Sequence, residues 1–325
     1  MRATGVLVAT LVGAGYATGR EISQYFGRAS YFTLLFAAVL IALFSMAFLY
    51  VGARVPLGQG RTMRAYRLIL SIMSVVSCGV MIAAGKALLG GVWTAIIVAV
   101  AGVSLCFSDK VFHVANTLAV PALLLMVAVV SLRAPEAAAG QAFLPLAAAN
   151  YAGMNLLFEG ELLRREGSGM SPRAIGMAGI GIAVCMGALL VAMHRVVGAS
   201  GAELPFAEVA EALGLKYLAT GVILISILSS IAGGMRVTLL VWRRRMPQEV
   251  AAMLALLAAL LVAVVPFADL VRYVYPVLGW AGVLVVAVYT AIASQHGVRH
   301  LFTRVNWHKC NPKSAVLMGK AAKKG

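Results

Sequence analysis

Residues Val12 to Ile22 read VGAGYATGREI, and they set Gly13, Gly15 and Gly19 beside Tyr16, Thr18 and the charged pair Arg20-Glu21 inside an apolar run from about residue 3 to 26. Each glycine costs about 0.8–1 kcal/mol relative to Ala in a helix interior, so a helix through this run is weakest at its middle. Unwinding there frees N–H and C=O groups that hydrocarbon cannot satisfy, and such groups are tolerated only when buried in protein or lining a polar cavity. The chemistry this suits is capture of a small polar solute. Main-chain groups of Gly13, Ala14 and Gly15 and the side chains of Tyr16 and Thr18 supply hydrogen bonds. The free N–H groups of the following helix carry a partial positive charge that favours an anionic group. Small residues at this spacing also let two membrane helices pack closely, which is the competing use of the same glycines.

A second polar interruption lies at residues 150–160, NYAGMNLLFEG. Laid on the first, it puts Gly153 on Gly15 and Glu159 on Glu21, and it adds Tyr151, Gly153 and Asn155 to the candidate substrate site. Ser71, Ser74 and Cys78 recur at i, i+3 and i+7 on one helical stripe, and Ser74 is taken as a further substrate contact, with a small-residue packing face as the alternative. Ser226, Ser229 and Ser230 place three hydroxyls on one face of a later span, an oxygen set of the kind a dehydrated sodium ion requires. Serine hydroxyls can equally bond to their own helix. Glu21 and Glu159 offer proton coupling instead, since an ionisable group within a span is costly and marks function by default. Glu21 stands about 9 Å along the axis from Gly15 at 1.5 Å per residue, which suits an outer-gate role, with Arg20 facing Asp269. Glu161 has Arg164 and Arg165 at i+3 and i+4 as pairing partners, and Arg236 is expected to pair with Glu159 or snorkel to the surface.

The elements that must hold these groups follow from composition. The 325 residues are 62% hydrophobic and 12% charged, with a mean hydropathy of +0.94, far from the roughly 25% charged residues of soluble chains. At about 20 apolar residues per crossing, spans are expected at 3–26, 31–53, 67–89, 92–107, 111–132, 142–163, 174–198, 215–241, 249–267 and 270–294. The net charge of +16 reflects Lys and Arg in short loops, a topology signal and not a nucleic-acid footprint. With both termini cytoplasmic, nineteen of the 27 Lys and Arg fall on the inner side and seven on the outer. The segment 199–216 is expected to be a short amphipathic helix over the outer face, burying Phe206, Val209, Ala210 and Leu213 and exposing glutamates.

Residues 296–325 form a basic tail, read as disordered or lying on anionic lipid. His296, His300, His308 and Cys310 make only a loose set there, and no metal centre or other cofactor is expected beyond a coupling sodium ion or proton. Neither a disulfide framework nor a nucleotide-binding loop is legible. An enzyme is not expected. Ten spans suggest a membrane domain over 1–295 built from halves 1–132 and 142–295 of opposite topology. This all-α, five-plus-five inverted-repeat plan has broken first and sixth helices meeting at mid-membrane.

The opening GAGYATGREI, the ten spans and the two interruptions resemble the bacterial YkvI-like membrane proteins, permeases of the amino acid/polyamine/organocation superfamily with the LeuT-type fold. The resemblance implies an ion-coupled symporter of an amino-acid-like solute in the bacterial cytoplasmic membrane. It also implies a sodium site in which carbonyls near Ala9 and Val12 complete the Ser229 and Ser230 oxygens. A non-transporting sensor subunit that binds a small solute is the alternative.

Overall fold

The computed structural model of the protein describes residues 14–54, 61–136, 140–198, 200–243 and 245–291. These residues are helical apart from short connections and one isolated backbone bridge between Ala29 and Ala142. In chain order the helices are α1 (Ala14–Thr18), α2 (Arg20–Phe26), α3 (Tyr31–Arg54), α4 (Arg61–Leu89), α5 (Val92–Cys106), α6 (Asp109–Arg133), α7 (Pro145–Glu166), α8 (Pro172–Val197), α9 (Pro205–Ala212), α10 (Lys216–Trp242), α11 (Gln248–Val262) and α12 (Phe267–Ala291). Each expected span is helical over most of its described residues. Five helices are long and apolar enough to cross a membrane: α3, α4, α8, α10 and α12. The chain is thus a multi-pass membrane protein.

Local chemistry fixes several helix ends. Ser171 caps α8 by accepting from the Ala174 N–H at 3.2 Å, with Pro172 in the first turn where its missing N–H costs nothing. Gly90 and Gly91, both at positive φ, turn α4 into α5. In α12 the residues Leu270–Val274 form a π-turn, closed by the Tyr275 N–H on the Leu270 carbonyl. Pro276 follows directly and has no N–H to donate, so the wider turn lies where the ordinary ladder must be broken.

Two packing groups result. α3 lies along α7 and α8, with α2 against α8, α7 and the start of α12; α4 lies along α10 and α11, with α5 against α10. Glycines set the closest approaches. A Cβ on Gly52 of α3 would overlap the Arg164 carbonyl of α7, and one on Gly153 of α7 would come 2.7 Å from the Val283 backbone nitrogen of α12.

Two expectations about broken helices are corrected. The first break falls at Gly19, while Ala14–Thr18 is helical and Gly13 lies outside the described residues. The sixth span is continuous from Pro145 to Glu166. Its polar residues are satisfied without unwinding: Asn155 Nδ2 donates to the Tyr151 carbonyl within the helix at 2.8 Å, and Asn150 bonds to neighbouring elements. Gly153 there serves close packing, the competing use of a small residue. The amphipathic helix is present as α9, with Phe206 and Ala210 buried, Val209 and Leu213 half-buried, and Glu203, Glu208 and Glu211 exposed.

Candidate functional site

The break between α1 and α2 exists because Gly19 adopts φ 73°, a left-handed conformation that L side chains rarely take. The turn is closed by the Gly19 N–H on the Tyr16 carbonyl at 3.2 Å, and the Arg20 N–H reaches Thr18 Oγ1 at 3.3 Å. The segment before α9 and its first turn cover this break. A Cβ on Gly19 would meet Val197 Cγ1 at 2.8 Å and Phe206 Cβ at 3.1 Å, so α9 packs directly on the turn. Arg20 donates to the carbonyls of Gly201 and Ala202 at 3.0 and 2.7 Å, and Ser23 Oγ donates to the Ser200 carbonyl at 2.5 Å. The expected Arg20–Asp269 contact is therefore replaced by a strap onto residues 200–202, because the break turns Arg20 towards free carbonyls that need donors.

The strap yields a first prediction. Arg20→Met removes two charge-assisted bonds, each worth about 1.5–3 kcal/mol when sheltered and less at this partly exposed site. Amide exchange across Phe206–Ala210 is expected to accelerate several-fold. Unchanged protection there would mean that packing on Gly19 alone holds α9.

On its buried face α2 presents Glu21 and Tyr25, one turn apart. Glu21 is only 5% exposed, and among the described residues it has no ion pair. Its neighbours are phenols. The side chain of Tyr275 from α12 interacts with it directly, and Tyr16 from α1, Tyr25 from α2 and Tyr151 from α7 are near enough to couple electrostatically. All four tyrosines are buried. The hydroxyls of Tyr16 and Tyr151 lie near each other, yet neither completes a well-formed hydrogen bond. Buried polar atoms are normally satisfied, and each exception calls for a reason.

Above this cluster, Tyr25 donates to Asn150 Oδ1 at 2.9 Å, and Asn150 Nδ2 donates to the Pro276 carbonyl at 2.8 Å. The Tyr25 and Phe26 rings meet Tyr151 edge-on, with centroids 5.3 and 5.0 Å away. Beyond the Tyr25–Asn150–Pro276 link opens a cleft of about 280 Å³ lined by Gln24, Tyr25, Leu146, Ala147, Asn150, Pro276 and Trp280. Three helices thus converge on one polar link that borders an open cleft.

The structure brings Tyr16, Glu21 and Tyr151 together as one site, with Thr18 buried at the break. Ala14 and Gly15 lie in α1 and Gly153 on α7, and the Asn155 side chain neighbours Tyr151. Ser74 is buried on α4. Its stripe ties α4 to α10: Cys78 Sγ donates to the Ile231 carbonyl, Ser71 Oγ accepts from Trp242 Nε1 at 3.1 Å, and Gly234 packs against Cys78 and the Ser74 backbone. That is helix packing, the alternative use of the stripe. Of the sodium set, Ser226 Oγ donates to its own helix at the Val222 carbonyl, 2.9 Å away. Ser229 is buried and Ser230 half-buried, while Ala9 and Val12 lie outside the described residues. Glu159 lies on α7, but its side chain is outside the described set, as are all of residues 292–325. Glu161 pairs with Arg164 at 2.7 Å and Arg165 at 3.3 Å, as the spacing predicts. Tyr275, Pro276 and Trp280 were not legible as site residues. Pro276 within an apolar span was the available signal, because it marks a break in a helix ladder.

No family model matches the sequence, and a search of curated proteins returns no match.

Proposed function

We propose that the protein is an ion-coupled secondary transporter of a small amino-acid-like solute, working by alternating access around the α1–α2 break and the Glu21–tyrosine cluster. The observation that carries the reading is that the Tyr25–Asn150–Pro276 link lines an open cleft and joins α2, α7 and α12, the helices that also bring Tyr25, Tyr151 and Tyr275 around the buried Glu21. A solute entering the cleft reaches the cluster only when the Tyr25–Asn150–Pro276 link parts. Irregular backbone at membrane depth has a use in such a path, because it lines the cavity that the solute occupies.

The pairing of helices supports the five-plus-five plan. If α6 ends the first half, an inverted repeat exchanges the span formed by α1 and α2 with α7, α3 with α8, α4 with α10, and α5 with α11. The contacts of α4 with α11 then have their counterpart in those of α10 with α5, the contacts of α3 with α7 in those of α8 with α2, and α3–α8 and α4–α10 each map on themselves. In this reading the cleft faces outward and both termini lie in the cytoplasm. The continuous α7 departs from the plan, so the main-chain site is confined to α1–α2 and α7 contributes side chains.

The test is uptake by purified protein in liposomes, with a panel of labelled amino acids under imposed sodium or proton gradients. Gradient-driven uptake of at least one solute is the expected result, and choline replacement or a protonophore then identifies the ion. Binding without uptake or exchange would favour the sensor reading.

A further inference from the structure

We infer that the cleft between α2, α7 and α12 seats one acyl chain of a phospholipid from the outer leaflet. This goes beyond the transport reading and takes from it only which end of the cleft is the outer one. The surfaces on either side of the cleft face hydrocarbon. On α12, Tyr273, Val277, Trp280, Leu284 and Val288 recur at i, i+4, i+7, i+11 and i+15, and all are exposed. On α3, Phe32, Leu35, Val39 and Leu43 form a second exposed stripe at helical spacing. A spanning helix whose exposed stripe stays apolar along its length presents that stripe to the bilayer. Phe143, just before α7, meets the rings of Phe32 and Phe36 with centroids 5.2 and 5.6 Å away, and Leu146 beyond it is 69% exposed. The α3 surface therefore continues through Phe143 to Leu146 at one lip of the cleft, and the α12 stripe supplies Trp280 at the other.

The lining suits a hydrocarbon chain. Among the described residues that line the cleft there is no Lys, Arg, Asp or Glu, so a charged group brought there would stay unpaired. The polar atoms of its wall satisfy one another, as a wall against lipid requires: the Tyr25 hydroxyl donates to Asn150 Oδ1, and Asn150 Nδ2 donates to the Pro276 carbonyl. Gln24 is the exception, an exposed amide near the outer end of α2 with no protein partner among the described residues. Its N–H donors match the ester carbonyl of a phospholipid, which lies at the membrane boundary and can only accept. Trp280 lies about 20 Å along the axis from Phe267 at 1.5 Å per residue, deep within a hydrocarbon core about 30 Å thick. The cleft thus joins a boundary amide to a mid-membrane aromatic, the path of a chain descending from its ester. A chain seated there lies against the Tyr25–Asn150–Pro276 link, and a solute that uses the cleft has to displace it.

The experiment places full-length protein in phosphatidylcholine vesicles doped with a phosphatidylcholine probe whose chain ends in a diazirine. After photolysis, adducts are mapped by mass spectrometry. The readout is the ratio of adducts at Trp280 to those at Leu284, one turn on along the same exposed stripe but outside the cleft lining. A second probe carries ether links in place of the esters and so lacks the carbonyl. The ester probe should give a ratio at least fivefold above the ether probe, because only its chain is anchored at Gln24. Ala147→Phe, which fills the cleft, should bring the ester ratio down to the ether value. A thermal melt followed by a thiol-reactive dye, which reports exposure of the buried Cys78 and Cys106, checks that this variant folds. Equal ratios with the two probes would overturn the assignment, since the lipid at Trp280 would then be the ordinary bilayer annulus. An ester ratio unmoved in a folded Ala147→Phe would overturn it as well. If that variant does not fold, the comparison of the two probes on the wild-type protein decides alone.

Discussion

Gly282→Ala is expected to lower the unfolding midpoint and to disorder the contact between α7 and α12. A Cβ at Gly282 would overlap the Gly153 carbonyl and lie 3.0 Å from the Gly153 Cα, so it meets backbone that no rotamer change can move. Two effects oppose each other. Alanine gains about 0.8–1 kcal/mol over glycine in a helix interior, while forcing an extra carbon into a close-packed contact typically costs about 1–3 kcal/mol, occasionally more. The overlap is with main chain on a continuous helix, which puts the cost at the upper end, and the net effect is destabilising. It should also separate Asn150 from Pro276, because Gly279, one turn away, packs on the Asn150 side chain. Gly176→Ala on α8 is the control, since nothing lies within 4 Å of its added Cβ. A thiol-dye melt should show loss for Gly282→Ala and none for Gly176→Ala. Equal midpoints would mean that α7 and α12 slide apart at little cost, and that the close approach contributes nothing to stability.

The same glycine pair shows where sequence reasoning succeeded and where it could not reach. Helix positions were legible because apolar runs of about 20 residues separated by short charged loops have few other solutions. The amphipathic α9 was legible because Phe206, Val209, Ala210 and Leu213 share a helical face. Glycine is ambiguous by nature: it permits a left-handed turn and it permits close packing. Gly19 takes the first use and Gly153 the second, and which occurs depends on partners distant in sequence. Gly19 has α9 over it, while Gly153 has Gly279 and Gly282 against it. The serine stripes are ambiguous for a related reason. A hydroxyl can bond to its own helix or a neighbour, and Ser226 and Ser71 do so. Glu21 was singled out from its cost in an apolar span, which is a property of the residue alone. The tyrosines around it come from four helices, and only the fold assembles them.

Asn150→Leu is the change expected to open the path most. The side chain is nearly isosteric but forms no hydrogen bond, so it removes the Tyr25–Asn150 and Asn150–Pro276 links together. Each such bond contributes about 0.5–1.5 kcal/mol net, and if both exist only in the closed form the closed-to-open balance shifts by about 1–3 kcal/mol, or about 5- to 150-fold. The Pro276 carbonyl keeps its place in a helix and Tyr25 retains the Met154 sulfur at 3.8 Å, so the fold tolerates the change better than the gate does. A reporter beneath the link measures this. Cysteine in place of Glu21, with Cys185 and Cys310 changed to Ser, sits among the buried tyrosines and should react slowly with a membrane-impermeant maleimide. Adding Asn150→Leu should raise its reaction rate at least fivefold, while the dye melt of Cys78 and Cys106 moves by only a few degrees. A rate that stays the same would mean the Tyr25–Asn150–Pro276 link does not control access to the cluster. A rate that rises in step with global unfolding would mean that Asn150 holds the fold together and gates nothing.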